Sequence, residues 1–235
     1  MKKSVIIGLV IFALILTAAF VSGVSKEEED PVEHKEMVAL GDSLTRGVGD
    51  SGEGYADNLQ TLLSEDQHHT VTVYNYGIPG QQSDGLLNQL NTDSELIEKI
   101  SEAEYVMIFI GTNDLIQSNG GDLEPIQEDL IAKGKQDYSN NIKEILGIIR
   151  KNNSEAPVLM LGLFNPYPDS KEVNDVVTDW NETTWNLIKE DEGVKLISTN
   201  GLFEEKSEEY FDDALHPNDK GYNLITEEIV KEYDF

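Results

Sequence analysis

The chain has 235 residues, of which 39% are hydrophobic and 26% charged, enough for one sizeable α/β domain with a proper core. Its 45 Asp+Glu against 17 Lys+Arg give a formal charge of −28, which excludes the basic face that nucleic acid needs and disfavours adsorption to anionic headgroups. The absence of cysteine excludes disulfides, thiolate zinc sites, cysteine nucleophiles and lipidation of a lipobox cysteine.

The sequence opens Met1-Lys2-Lys3 and runs apolar over residues 5–21. Lysines ahead of an apolar run are the layout of an export signal, and this run approaches the roughly 20 residues that span a bilayer. Val21-Ser22-Gly23 offers a cleavage site weaker than A-x-A. Residues 1–24 are therefore expected to be a signal peptide or an N-terminal membrane anchor, with the remainder outside the cytoplasm by the positive-inside rule. Residues 25–35, which begin Ser25-Lys26-Glu27-Glu28-Glu29-Asp30-Pro31, read as an acidic solvated linker, and His34 as a solvated residue within it. The folded domain is expected over 36–235.

From Glu36 on, short apolar runs alternate with amphipathic stretches. Residues 37–40, 71–76, 105–110, 158–163 and 194–197 read as strands, several continuously apolar as in strands covered on both faces. Residues 55–63, 83–90, 94–101, 127–152, 173–189 and 219–232 read as helices. Five strands separated by helices imply an α/β fold, a parallel sheet with helices on both faces. Ligand sites of such sheets lie beyond the carboxyl ends of the strands.

Four segments there carry chemistry. Gly41-Asp42-Ser43-Leu44 follows the first strand, and a serine beside a turn-forming glycine can present its hydroxyl at the sheet edge. Asn75-Tyr76-Gly77-Ile78-Pro79-Gly80 follows the second, where a glycine can bring a backbone N–H close to a ligand. Gly111-Thr112-Asn113-Asp114 follows the third, and an asparagine amide can stabilise an oxyanion. Near the C-terminus stands Asp213-Ala214-Leu215-His216-Pro217-Asn218. There an aspartate can orient a histidine three residues on, Pro217 keeps His216 out of helical geometry, and Asn218 can cap the closing helix. Each alone is also an ordinary turn or cap. Together, in chain order at one sheet edge, they supply a nucleophile, an oxyanion hole and an Asp–His pair. Asp212 is a second candidate orienter with a poorer spacing, and His68 and His69 precede a strand, far from any carboxyl end.

These four blocks make the chain resemble the GDSL/SGNH hydrolase superfamily over roughly residues 36–235, nearest to bacterial lipase/acylhydrolase-like proteins with an N-terminal membrane segment. Thr45-Arg46-Gly47-Val48-Gly49-Asp50 belongs to the resemblance as well. It implies a flavodoxin-like three-layer α/β/α sandwich with about five parallel strands. It also implies Ser43, Asp213 and His216 as catalytic residues, an oxyanion hole of Ser43, Gly77 and Asn113, and no metal or organic cofactor. No G-x-S-x-G elbow surrounds Ser43, which disfavours an ordinary α/β-hydrolase. Asp42 and Asp114 read as loop-ordering residues.

The activity expected is hydrolysis of carboxylic esters through an acyl-serine, outside the cytoplasm. The substrate is a small-molecule or glycan ester, with short or medium acyl esters first and O-acetylated cell-wall or extracellular polysaccharide second. A tethered binding domain without activity and an acyltransferase needing a membrane partner are the rivals. No nucleic acid and no obligate protein partner is expected, and the membrane enters only through the N-terminal segment if uncleaved. Residues 117–135 are too acidic for an apolar lid. Phe164-Asn165-Pro166-Tyr167-Pro168 could wall a pocket or simply pack.

Overall fold

A computed structural model describes residues 33–65, 69–203 and 209–235. Five strands, β1 (Glu33–Gly41), β2 (His69–Asn75), β3 (Tyr105–Phe109), β4 (Val158–Leu161) and β5 (Val194–Ile197), form one parallel sheet in the order β2-β1-β3-β4-β5. The helices are α1 (Ser43–Arg46), α2 (Gly54–Leu63), α3 (Ser83–Thr92) and α4 (Ser94–Glu102). They continue with α5 (Thr112–Ser118), α6 (Glu128–Asn152), α7 (Lys171–Ile188) and α8 (Asp219–Glu232).

The sheet forms where the chain is most continuously apolar. Met37 to Leu40 and Val106 to Phe109 are fully buried, as strands covered on both faces must be. Each large side chain so buried contributes about 1.5–3 kcal/mol. On α6 the buried residues Ile131, Tyr138, Ile142, Ile145 and Ile149 recur at helical spacing and make one stripe. Four of the helices start on side-chain caps, three of them away from the sheet edge at β1. Asp93 accepts the N–H of Glu95 and Leu96, Ser170 that of Val173, and Asn218 those of Lys220 and Gly221; each cap contributes about 1 kcal/mol. α2 and α8 pack together, while α3, α4 and α7 pack on α6, so helices cover the two faces in the three-layer, flavodoxin-like arrangement.

The path from β1 to β2 runs one way along the sheet, and every later crossover runs the other. A crevice is left above the carboxyl ends of β1 and β3, where such folds bind ligands.

Three differences from expectation have local causes. β1 begins at Glu33, so residues 33–35 belong to the sheet and not to the linker, and His34 Nδ1 meets Thr70 Oγ1 at 2.9 Å. This polar extension pairs only with β2, through backbone bonds that an apolar pattern does not report. Glu36, next along β1, is matched by Tyr74 Oη at 2.9 Å and Lys99 Nζ at 3.2 Å. The short helices α1 and α5 have too few turns to show a period. Finally, β4 ends at Leu161 although the apolar run continues to Leu163; Leu163 N–H instead donates to Asn181 Oδ1 of α7. Among the described residues no helix is long and apolar enough to cross a membrane. The apolar run over 5–21 lies outside the described residues.

Candidate active site

Ser43 opens α1 directly after β1, and three ties hold that turn. Asp42 caps the helix, its Oδ1 accepting the Leu44 N–H at 2.9 Å. Thr45 Oγ1 lies 3.2 Å from the Leu40 carbonyl and 3.1 Å from Tyr55 Oη. Asn75, at the end of β2, donates from Nδ2 to the Thr45 carbonyl at 2.8 Å. Ser43 itself is only 6% exposed.

The segment before α8 brings the histidine over. Asp212 N–H donates to the His216 carbonyl at 2.9 Å and Asn218 N–H to the Tyr210 carbonyl at 2.9 Å, closing a tight loop with a bridge between Phe211 and Pro217. Inside that loop Asp213 Oδ1 accepts the backbone N–H of Leu215 and of His216, each at 2.7 Å. Its Oδ2 faces His216 Nδ1 at 2.7 Å. On the other side of the ring, His216 Nε2 lies 2.9 Å from Ser43 Oγ. Serine, histidine and Asp213 thus form one hydrogen-bonded line, whereas Asp212 meets His216 only through its backbone. The loop rests on aromatic rings: Phe211 packs on Phe203 at 4.8 Å and on Phe164 at 6.0 Å between centroids.

Asn113, second residue of α5, places its Nδ2 3.1 Å from Asp42 Oδ2 and 3.1 Å from the Gln81 carbonyl. Gly77 differs from expectation, because its N–H is taken by Asn75 Oδ1 at 3.0 Å. Gly77 matters through contact instead: a Cβ there would lie 2.4 Å from the Arg46 nitrogen and 2.9 Å from the Asp42 carbonyl. Three residues on, Gly80 has φ +79° and open space where a Cβ would be. Among the described residues no acceptor is bonded to the N–H of Ser43 or of Gly80. The motif holds two glycines, and only tertiary structure tells the packed one from the open one.

Two buried acids order these turns. Burial pushes the Asp42 carboxyl up to about 7; the Leu44 N–H opposes the rise, the charge of Asp114 adds to it, and the Asn113 amide opposes it. Asp114 is also raised by burial, against the Ser83 hydroxyl and N–H that it accepts; it thereby fastens α5 to the start of α3. Asp213 behaves oppositely. Partial burial raises it, but the N–H groups of His216 and Leu215 and the His216 ring outweigh that and bring it down to about 2.

The two other segments carry structural contacts as well as cavity-lining residues. Asn119 ties the turn between α5 and α6, donating to the carbonyls of Asp122 and Pro125 and accepting the Gln127 N–H. Phe164 is buried at 5% exposure against Phe109 and the rings beneath the histidine loop. Tyr167 alone of that pair of aromatics lines a cavity, of about 550 Å³, with Glu124, Ser170 and Lys171. Sequence reasoning missed the Asp42–Asn113 and Gln81–Asn113 contacts. Their partners are 71 and 32 residues apart, and one of the acceptors is a backbone carbonyl with no residue signature.

Comparison with known proteins agrees with this fold. The GDSL-like Lipase/Acylhydrolase family matches residues 39–224. The Uncharacterized protein YpmR of Bacillus subtilis (strain 168) is 32% identical over 240 residues, covering 97% of this chain and 94% of that protein. The Spore germination lipase LipC of Bacillus licheniformis is 25% identical over 201 residues, covering 83% and 94%. Among solved structures, the lipase Lip_vut3 from a goat rumen metagenome superposes with a TM-score of 0.75 at 24% identity, covering 84% of this chain and 96% of that one.

Proposed function

The chain belongs to the GDSL-like lipase/acylhydrolase family and is a carboxylic ester hydrolase, and we propose that it works through an acyl-serine formed on Ser43. The observation that carries this reading is the line Asp213 Oδ2 to His216 Nδ1 at 2.7 Å and His216 Nε2 to Ser43 Oγ at 2.9 Å. His216 takes the hydroxyl proton as Ser43 Oγ bonds to the ester carbonyl carbon. The carbonyl π electrons move to oxygen, giving a tetrahedral oxyanion. Collapse of that adduct breaks the bond to the alcohol, which leaves with the proton from His216. Water then repeats the sequence on the acyl-serine, releasing the acid and restoring Ser43. Asp213 accepts from Nδ1, so Nε2 is the free base that faces Ser43.

For the oxyanion, the donors are the Ser43 N–H, the Asn113 amide and a glycine N–H. Gly80 takes the glycine part in place of Gly77, because its N–H has no acceptor among the described residues while that of Gly77 is spent on Asn75. Each such donor contributes about 10²–10³ in rate.

The proposal includes an extracytoplasmic site of action, with residues 1–24 as signal or anchor and a linker ahead of the folded domain. The support is the lysine-then-apolar layout of the first 21 residues. Small acyl esters are the first substrate class. A second reading, O-acetylesterase on glycan, is favoured by a groove of about 570 Å³ lined by Gln82, Asp84, Gln117, Asp137 and Asn141. Asp114 borders the groove too, next in sequence to Asn113. Amide and carboxylate side chains suit sugar hydroxyls better than acyl chains.

The test is hydrolysis of short-chain p-nitrophenyl esters by the full chain and by Ser43→Ala, with acetylated glycans run in parallel. Loss of the nucleophile in such triads costs roughly 10⁶ in kcat. A variant retaining more than a few per cent of turnover, contamination excluded, would place the nucleophile elsewhere.

A further inference from the structure

An amide nitrogen carries two N–H bonds, and two acceptors already stand 3.1 Å from Asn113 Nδ2 before any substrate arrives, Asp42 Oδ2 and the Gln81 carbonyl. The two are unlike. Asp42 is 1% exposed, its other oxygen holds the Leu44 N–H at 2.9 Å, and its carbonyl accepts the Arg46 N–H at 2.9 Å. It is therefore built into the same turn as Ser43 and stays where that turn stays. The Gln81 carbonyl is a neutral acceptor on the β2–α3 loop, and neutral acceptors bind N–H groups less strongly than carboxylates do.

Resting on the catalytic reading above, we infer that Asp42 is a positioning residue: it holds one N–H of Asn113 so that the other meets the developing oxyanion, which takes the place of the Gln81 carbonyl. The exchange keeps the number of hydrogen bonds constant. A weak neutral acceptor gives way to a charged one, so the interaction strengthens as the transition state forms. Without the Asp42 anchor, the last torsion of an asparagine side chain is broad, and the donor is no longer aimed beforehand. The arrangement also ties nucleophile and oxyanion donor into one rigid unit, since the residue preceding Ser43 is the one that orients Asn113.

Asp42→Ser separates this role from helix capping. Serine is as good a cap as aspartate but lacks the second oxygen that reaches Asn113. On a p-nitrophenyl acetate assay of the full chain at about pH 8, where Asp42 is ionised, the substitution lowers kcat about 10- to 100-fold, part of the 10²–10³ that a lost oxyanion donor costs, with KM changed by less than about threefold. In an Asn113→Ala background the same substitution lowers kcat by less than about twofold, because its target is gone. An equal loss in both backgrounds, or a loss confined to KM, overturns the inference. The wild-type chain gives a second test that needs no variant: a crystal structure of its Ser43 adduct with a small organophosphonate. Asn113 Nδ2 is expected to keep Asp42 Oδ2 and to bond the phosphonyl oxygen in place of the Gln81 carbonyl. An adduct in which Asn113 has left Asp42, or keeps Gln81, overturns the inference while leaving the Ser43 mechanism intact. A wild-type chain that turns over no ester and forms no adduct overturns the mechanism and the inference with it.

Discussion

Asp212 and Asp213 are neighbours with equal charge, and geometry separates them in the sense that their spacing from His216 suggests. Asp213 carries the imidazole on Oδ2 and two backbone N–H groups on Oδ1. Asp213→Asn is expected to lower kcat by about 10⁴, as loss of the orienting carboxylate does in a well-studied triad, and less than His216→Ala does. Asp212→Asn should leave kcat within about threefold, since among the described contacts it is tied to His216 through the backbone alone. Steady-state kinetics on the three variants decides it: a larger loss for Asp212→Asn than for Asp213→Asn would reassign the orienter.

Asp42 and Asp213 also titrate in opposite senses. Asp42 moves up from 3.8 to about 7, so the folded state holds its proton more tightly than the unfolded chain. Its contribution is fully present below about 3.8 and is lost as pH rises through about 7. Asp213 moves down from 3.8 to about 2, so its contribution is present above about 3.8 and is lost as pH falls through about 2. Urea unfolding of wild type and Asp42→Ser between about pH 4.5 and 7.5 checks the first statement. Wild type should lose stability relative to the variant across that window; parallel profiles would mean that Asp42 ionises normally in the fold.

At the scale of elements, His216 stands on a loop outside the five strands. The 210–218 segment is braced by its two backbone bonds and by the rings of Phe211, Phe203 and Phe164. Phe211 is 5% exposed, and Phe→Ala at such a site costs about 3–5 kcal/mol. Because the cavity would open beneath His216, Phe211→Ala is expected to lower kcat more than it alters KM, through the Ser43–His216 distance. Denaturant unfolding with parallel kinetics reads both effects. A destabilised variant with unchanged kcat would show that the loop holds its shape without the ring.

Over the whole molecule, charge sets the pattern. With 45 acidic and 17 basic residues, most carboxylates have no cationic partner. Ion pairs such as Lys220–Glu209 and Lys231–Glu228 lie at the surface, where each contributes little. Self-repulsion therefore opposes compaction. Exposed charges interact over about 10 Å at 0.1 M salt and about 3 Å at 1 M, so the melting temperature should rise between 0.05 and 1 M NaCl. A thermal melt of the full chain at the two concentrations tests this, and a fall with added salt would show that surface repulsion is not the controlling term.

The sequence by itself determined the parallel α/β architecture, because buried strands such as β3 are apolar residue after residue and long helices such as α6 repeat at 3.6. It also singled out Ser43, Asn113, Asp213 and His216, each of which follows a strand or precedes a helix in a short motif with few readings. Tertiary structure alone decided what depends on contacts between distant segments. It spent the Gly77 N–H on Asn75 while leaving that of Gly80 without an acceptor among the described residues, drew residues 33–35 into β1 by pairing with β2, and set Asp42 against Asn113. The physical reason is the same in each case: a hydrogen bond is directional over about 3 Å, whereas a residue pattern reports only which face of an element is dry.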